Sequence, residues 1–480
     1  MKQVVEQLQA RIQQAAPGPA LTQAQVYGAL LWAVDLNIYE AAALERHLVA
    51  RCANQVTLPA ASGVSRGCLH VVSEPYMQGG HTRLMERLAQ MHEGPVDLLV
   101  ARSAKPQVLE RLAGYFAHIE VARGDDPCAR LQSIVDTLSQ YDKVVLHIHP
   151  DDIITTVACG LLKQQRGAAL TVYFVNHADH VFSFGASVAD VYFEISAYGH
   201  HLDKKKHLTC QKSFLAIPIE TSGAKVPDAV PTHERIKVFS AASAAKYKPH
   251  GGLDMRPSIT AILERFPNAE CWIIGANPLT NTWWWTVKLR YPRRFFIRRH
   301  LPYKDYLAFA EKADFYLDSY PVPGGTAFAE QLLKGRRCVG LVAPIQGYSP
   351  ADSLKVASVD QLLASIAQPR PSAPVVEAVQ RVNSVEAVKA RYLACIERGE
   401  FSENELAAML PWTGNLDFMK PTGKVTSMIP ADVFDALCRI DTKLALRTLL
   451  AYAWVPRIKL LIKVTLFRLA RLARLARARG

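Results

Sequence analysis

The chain has 480 residues, 50% hydrophobic and 21% charged, with 26 Gly and 28 Pro, so it is too long for one small domain and too apolar for a disordered one. Lys and Arg outnumber Asp and Glu by 56 to 43, a formal +13, but ten of the cations lie between Thr442 and Gly480, where no acid occurs, leaving +3 for everything before them. That partition argues against a basic nucleic-acid-binding fold and for a nearly neutral body with a cationic tail, so no nucleic-acid partner is expected.

The N-terminus, MKQVVEQLQARIQQ, alternates polar and apolar residues and lacks the apolar run of a signal peptide. Residues 1–60 read as helix: apolar positions in TQAQVYGALLWAVDLNIYEAAALERHLV recur at three- and four-residue spacing after a break at Pro17 to Pro19. From Gly67 the pattern changes to short apolar runs, CLHVV, VDLLVA, KVVLHIH, LTVYFV and DVYFEI, separated by amphipathic stretches of helix length. Runs without in/out alternation are the mark of parallel strands covered by helices on both faces. The segment 218–234, rich in Pro and small residues, reads as a linker. A second series follows, IKVFSA, AECWIIGA, RFFIRR, ADFYLDSY and RCVGLVA, with helices expected at SITAILERF, YKDYLAFAEK and TAFAEQLLKG. Two doubly wound halves would face each other across a cleft at their strand carboxyl ends, where open parallel sheets bind ligands.

Beyond a Pro-rich segment near 368–374 the chain reads as helix and loop, and ends in RIKLLIKVTLFRLARLARLARARG. This tail predicts an amphipathic cationic helix suited to anionic headgroups; an RNA-binding arm and a solvated helix end are the alternatives. Its apolar stretch from Leu444 to Phe467 is broken by Arg447, Pro456, Arg457, Lys459 and Lys463, so a membrane span is not expected and cytoplasmic residence is. The nine cysteines form no CxxC and imply neither a disulfide framework nor a thiolate zinc site.

The sharpest local signal is DFYLDSYPVPGGTAFAEQLLKG, where a strand ends at Leu317, a Pro-Gly-Gly loop follows and a helix begins near Thr326. Gly324 and Gly325 permit close backbone approach and a helix start favours an anion, so a phosphate fits there, with Glu330 one turn on as an acceptor for ribose hydroxyls. A plain strand-to-helix turn reads equally well. No Asp-x-Asp occurs, so a diphosphate would be neutralised by the helix start and one or more of Arg293, Arg294, Arg298 and Arg299, any of which reads as well as a solvated strand edge. The run Trp283 to Trp285 suits a site rim or a membrane-facing patch, with at least one ring in the core.

In the order of SITAILERFPNAECWIIGA, HLPYKDYLAFAEKADFYLD and PGGTAFAEQLLKG, the second half resembles the donor-binding half of GT-B glycosyltransferases, nearest to the O-GlcNAc transferase and bacterial adhesin glycosyltransferase group. The resemblance covers roughly residues 67–365. It implies that Gly325 and Thr326 hold a nucleotide diphosphate, that Glu330, which stands where O-GlcNAc transferases have Asp, holds the ribose, and that Lys246 in KYKP contacts the phosphates. The group's His-Thr-Thr is replaced here by Gly-Thr-Ala. The implied fold is α/β, two Rossmann-like domains facing a cleft, with a helical N-terminal extension and a basic amphipathic C-terminal helix. The implied division is 1–62 helical extension, 63–217 acceptor domain, 218–234 linker, 235–367 nucleotide-sugar domain, 368–441 helical and loop region, and 442–480 tail. The implied reaction moves a sugar, UDP-linked, to a glycan, lipid-linked or protein acceptor with inversion; the nucleotide sugar is a co-substrate, and no cofactor or metal is expected.

In the first half, SEPYMQGGHTRLMERL places Gly79, Gly80 and His81 after the first strand and at a helix start. His81 suits a general base for an acceptor hydroxyl, or else caps the helix or lines the cleft. Eleven of the 15 histidines lie between residues 70 and 207, with two clusters after strands, His147-Ile-His149-Pro-Asp151-Asp152 and His177-Ala-Asp179-His180. The segment NHADHVFSFGASVAD resembles one found in bacterial glycosyltransferases, which groups His177 and Asp179 with His81 as catalytic candidates and Gly79, Gly80 and His149 as acceptor or cleft residues. The same letters are similar to the metal motifs of zinc-dependent GlcNAc deacetylases, which makes His149, Asp152 and His180 the ligands of an alternative zinc hydrolase, although Ile153 replaces the Glu of that motif. A non-catalytic scaffold of GT-B type is the other alternative.

Overall fold

The computed structural model describes residues 1–60, 65–77, 79–227, 236–368, 372–410, 414–421, 423–425 and 427–477. The expected boundary at 62/63, the second part of the 218–234 segment, part of the Pro-rich 368–374 segment and the last three residues fall outside them. The chain forms two compact units: Met1–Phe193 with Asp203–Ser213 and Met419–Gly480, and Glu194–Leu202 with Phe214–Phe418.

The first sheet has seven strands in the order β3-β2-β1-β4-β5-β6-β7, being β1 Cys68–Val72, β2 Asp97–Val100, β3 Ile119–Val121, β4 Lys143–His147, β5 Thr171–Val175, β6 Val191–Glu194 and β7 Gln211–Phe214. The first five strands give the 3-2-1-4-5 order of a doubly wound half, whose switch point lies between β1 and β4. Five of the seven strands coincide with the apolar runs, while β3 and β7 were not foreseen.

The N-terminal helices Lys2–Gln14, Pro17–Ala33 and Ala42–Cys52 do not stand apart as an extension: Leu8, Ile12, Tyr27, Leu30 and Leu48 lie in the same core as Val71, Leu146 and Val172 of the sheet. Pro17 breaks the first helix by starting the second, since a proline at the first helical position loses no bonded amide. The tail is also part of this core. Leu444 and Ala445 from helix Thr442–Ala451, Tyr452 just after it, and Leu460 and Val464 from helix Trp454–Arg477 are buried in it, and Asp435 on helix Ala431–Ile440 receives Arg468 at 2.6 Å. No helix among the described residues is long and apolar enough to cross a membrane.

The second sheet has five parallel strands in the order β10-β9-β8-β11-β12: β8 Lys237–Ala241, β9 Glu270–Ile274, β10 Phe295–Arg298, β11 Phe315–Leu317 and β12 Arg337–Val339. This is again 3-2-1-4-5, with the switch point between β8 and β11. Alternate residues enter two separate cores, Val238, Cys271 and Ile273 on one face and Phe239, Ile274 and Tyr316 on the other. Both faces are apolar because both are covered, which is why the strands read as continuous apolar runs. The described part of the 218–234 segment is bonded into this unit: the Ile219 amide donates to Asn383 O at 2.7 Å and the Lys225 amide to Leu333 O at 2.8 Å. Trp284 is fully buried here, Trp283 packs against the same core and Trp285 is exposed.

Candidate functional site

At the switch point of the second unit, two loops meet. Lys246 lies in the short 3-10 turn Ala244–Tyr247 after β8, and its Nζ donates to Pro323 O at 2.7 Å while its carbonyl accepts the Val322 amide at 3.2 Å. The loop after β11 is organised by Asp318, whose Oδ1 accepts the amides of Ser319 at 2.8 Å and Gly324 at 2.9 Å. A side chain at 324 would put its Cβ 2.8 Å from Asp318 Oδ1, so the loop closes this tightly only around glycine. Gly325 follows with φ +67°, the left-handed region.

Thr326 precedes the helix Ala327–Leu333 without capping it; its hydroxyl donates instead to Glu330 Oε1 at 2.9 Å. The structure therefore brings Lys246, Gly324, Gly325, Thr326 and Glu330 to neighbouring positions, and pairs the last two with each other. Burial lowers the Lys246 ammonium's pKa, opposed by Asp318 and helped by Lys355. Beneath the loop, Lys355 Nζ bridges Asp318 at 2.8 Å and Asp352 at 2.7 Å, all three side chains being almost fully enclosed. Burial works against the Lys355 charge, but the two carboxylates outweigh it and hold the ammonium above its ordinary range.

Of the four candidate arginines, Arg294 is committed to the carbonyls of Leu263 and Pro267 at 2.8 and 2.9 Å and stacks over Tyr291, and Arg298 lies over the Trp272 ring.

At the carboxyl end of the first sheet, Gly79 is the N-cap of helix Gly80–Met91, which places His81 in the first turn. His81 Nε2 lies 3.2 Å from Glu74 O, and a carbonyl only accepts, so Nε2 carries the proton and the lone pair is on Nδ1. Burial lowers the His81 pKa, partly offset by the bond to the Glu74 carbonyl.

His177 follows β5 and its ring centre is 5.9 Å from that of His81. Behind it runs a row of imidazoles: His177 Nε2 is 2.8 Å from His147 Nδ1, His147 Nε2 is 3.0 Å from His70 Nδ1, and His70 Nε2 is 3.4 Å from His92 Nε2. The β1–β4 register sets the middle pair, because His147 stands opposite Val72 and His70 is two residues earlier on the same face. Desolvation takes His177 down to about 3 and His92 to about 4.

His149 is held by Asp151 at 2.6 Å, and Arg102, at the end of β2, reaches the same carboxylate oxygen at 2.6 Å. Burial would raise the Asp151 carboxyl, but Arg102 and His149 hold it below its ordinary value. Asp152 caps helix Ile153–Arg166 through the Thr155 amide and accepts from Ser73, while Asp179 is buried and faces His180 at 3.2 Å. The ligands of the zinc-hydrolase alternative are thus tied to separate partners; His149, Asp152 and His180 do not form a three-ligand group among the described residues. Sequence reasoning missed Ser73, Arg102, Asp318 and Lys355. Ser73 directly follows β1 and Arg102 lies two residues past β2, which was the available signal; Lys355 had none, because its partners lie far away or one turn back.

No protein-family model matches the chain, and no curated protein matches it. Solved structures do. A lipopolysaccharide outer core galactosyltransferase, WaaB, in its apo form is similar over 70% of this chain and 100% of its own, at 12% identity and TM-score 0.53. Anabaena HepE in complex with UDP is similar over 69% and 100%, at 12% identity and TM-score 0.50. The Thermobaculum terrenum O-GlcNAc transferase matches over 83% and 79%, at 12% identity and TM-score 0.47. The chain has the GT-B fold of these glycosyltransferases.

Proposed function

We propose that the chain is a glycosyltransferase that moves a sugar from a nucleotide diphosphate donor, UDP-linked, to an acceptor hydroxyl or amide on a glycan, lipid-linked or protein substrate, with inversion and without a metal on the diphosphate. The observation that carries this reading is that Lys246 is bonded to the Pro323 carbonyl, at the start of the Pro-Gly-Gly loop that Asp318 folds, at the second sheet's switch point. An ammonium group and loop amides there suit the charge of a diphosphate leaving group, and the Thr326–Glu330 pair offers an acceptor to ribose hydroxyls. HepE, which has the same fold, was solved with UDP. In the first unit, His81 Nδ1 is the proton acceptor: the acceptor's proton passes to Nδ1 as the new bond to the anomeric carbon forms and the bond to the diphosphate breaks.

A panel of nucleotide sugars and free UDP, read by thermal stabilisation, tests the donor. UDP-linked donors should raise the melting temperature, with stabilisation of about 2.7 kcal/mol at a hundredfold excess over Kd. Lys246→Ala should weaken that binding roughly tenfold, the worth of one charge-assisted hydrogen bond. A folded wild-type protein that no member of the panel stabilises would sink the reading.

The enzyme is further proposed to work in the cytoplasm against an anionic membrane, as suits a cell-envelope glycan. Helix Trp454–Arg477 exposes Trp454, Val455, Ile458, Leu461, Ile462, Leu466, Leu469 and Leu472, Trp454 being 69% accessible, beside the exposed Lys459 and Lys463. This is the composition of an interfacial helix. Sedimentation with anionic vesicles should fall about fivefold for Lys459→Ala and again for Lys463→Ala, at about 1 kcal/mol per cation. Equal binding to neutral vesicles would remove the electrostatic part of the proposal.

A further inference from the structure

We propose a metal site in the first unit, formed by Cys68, His70 and His92, for a thiophilic divalent ion of the zinc type. Their ligand atoms lie within 4.8 Å of one another, and among the described residues they form the group of three that can hold an ion. Cys68 and His70 sit two apart on β1 and therefore share a face, and His92 is the C-cap residue of helix Gly80–Met91, which delivers it to that face. Cys68 and His70 are buried, while His92 is partly open, which leaves a coordination position to water.

The His70–His92 separation fits coordination better than a hydrogen bond. His70 Nε2 and His92 Nε2 are 3.4 Å apart, long for two imidazoles sharing a proton. Two nitrogens at about 2.0–2.1 Å from a tetrahedral zinc stand about 3.3–3.4 Å apart. The remaining nitrogen of His70 has its outer partner, His147 Nε2 at 3.0 Å, as metal-bound histidines characteristically do. A borderline-soft ion suits one thiolate and two imidazoles. Binding releases the Cys68 thiol proton to solvent and places the His70 proton on Nδ1.

That placement has a reach. With His70 donating from Nδ1 to His147 Nε2, His147 must donate from Nδ1 to His177 Nε2, and His177 then carries its own proton on Nδ1. An ion near the start of β1 thus sets the tautomer of a ring at the other end of the sheet: the His177 Nε2 lone pair is taken by His147, and the Nδ1 proton is the one that ring can donate.

The test is metal analysis of untagged, full-length protein, followed by titration of the metal-free form with cobalt(II). The expected results are one equivalent of zinc per chain and, with cobalt, a thiolate-to-metal charge-transfer band with tetrahedral visible bands. Cys68→Ser should abolish the charge-transfer band, and His92→Asn should lower the affinity at least a hundredfold. Cys438→Ser and His149→Asn, outside the group, should change neither. His70 is left intact in all of them, and far-ultraviolet circular dichroism establishes that each variant is folded. Folded wild-type protein that takes up neither zinc nor cobalt at micromolar concentration overturns the proposal, as does full stoichiometry with an unchanged spectrum in the Cys68→Ser/His92→Asn double variant.

Discussion

Asp318→Ala should cost the second unit about 3–5 kcal/mol of stability, the penalty for leaving a buried charge without its partner. Asp318 serves two structures at once: one carboxylate oxygen accepts the Ser319 and Gly324 amides, and the other meets the enclosed Lys355 ammonium at 2.8 Å. Removing it leaves Lys355 with Asp352 alone and strips the anchor from the Pro-Gly-Gly loop, so nucleotide binding should disappear with the stability. Asp318→Asn keeps the amide acceptor and should lose less of both.

The pH dependence has a definite sign. Lys355 is held above the ordinary lysine value of 10.5 in the folded state, so its stabilisation is fully present below that value and is lost only as pH rises past it. The cost of Asp318→Ala should therefore be constant from pH 6 to 9. Chemical denaturation followed by tryptophan fluorescence measures it, since Trp272, Trp283 and Trp284 belong to this unit. A loss below about 1 kcal/mol would show that the pair contributes little.

His177 should make the first unit sensitive to acid. Its folded value is about 3 against an ordinary 6.5, with desolvation the chief cause and His81 adding to it. The unfolded chain takes up this proton near 6.5 and the folded chain does not, so stability is complete above 6.5 and falls as pH drops toward 3. By pH 5 this one group should cost about 1–2 kcal/mol, the lower end reflecting the edge of the ring that reaches solvent. His177→Gln should flatten the dependence between pH 7 and 5 by up to one proton, about 1.36 kcal/mol per pH unit. An unchanged acid slope in that variant would assign the sensitivity to other groups.

Much of this architecture was legible in the residues. CLHVV, KVVLHIH and TVYFV are strands covered on both faces, and their continuous apolarity says so. The edge strands β3 and β7 escaped because they are three and four residues long and are largely half-exposed or exposed, so burial left no trace in the sequence. Gly324 to Thr326 were readable because they lie between a strand and a helix, and Lys246 because its loop after β8 resembles the family's Lys-x-x-Pro. The imidazole row was not: its four members come from β1, the end of a helix, β4 and the loop after β5, and only strand register aligns them. The zinc-hydrolase letters show the complementary case. Asp151 and Asp152 are adjacent in sequence but serve Arg102 and a helix start. In the tail, the density of arginines obscured Leu460 and Val464, four residues apart, which belong to the core.

The first unit takes helices from both the beginning and the end of the chain, and helix Lys2–Gln14 is joined to the later segment through the Arg11–Asp441 ion pair and the Arg447–Gln7 hydrogen bond at 2.6 Å. Synthesis runs in one direction, so the second unit, complete at Phe418, is synthesised before the last helices of the first exist. A nascent chain at that stage carries one finished unit and one whose hydrophobic core still lacks Phe434, Leu437, Leu444 and Leu460. The unit that begins first is completed last, and its exposed core is the natural point of engagement for chaperones and for proteolysis of unfinished chains.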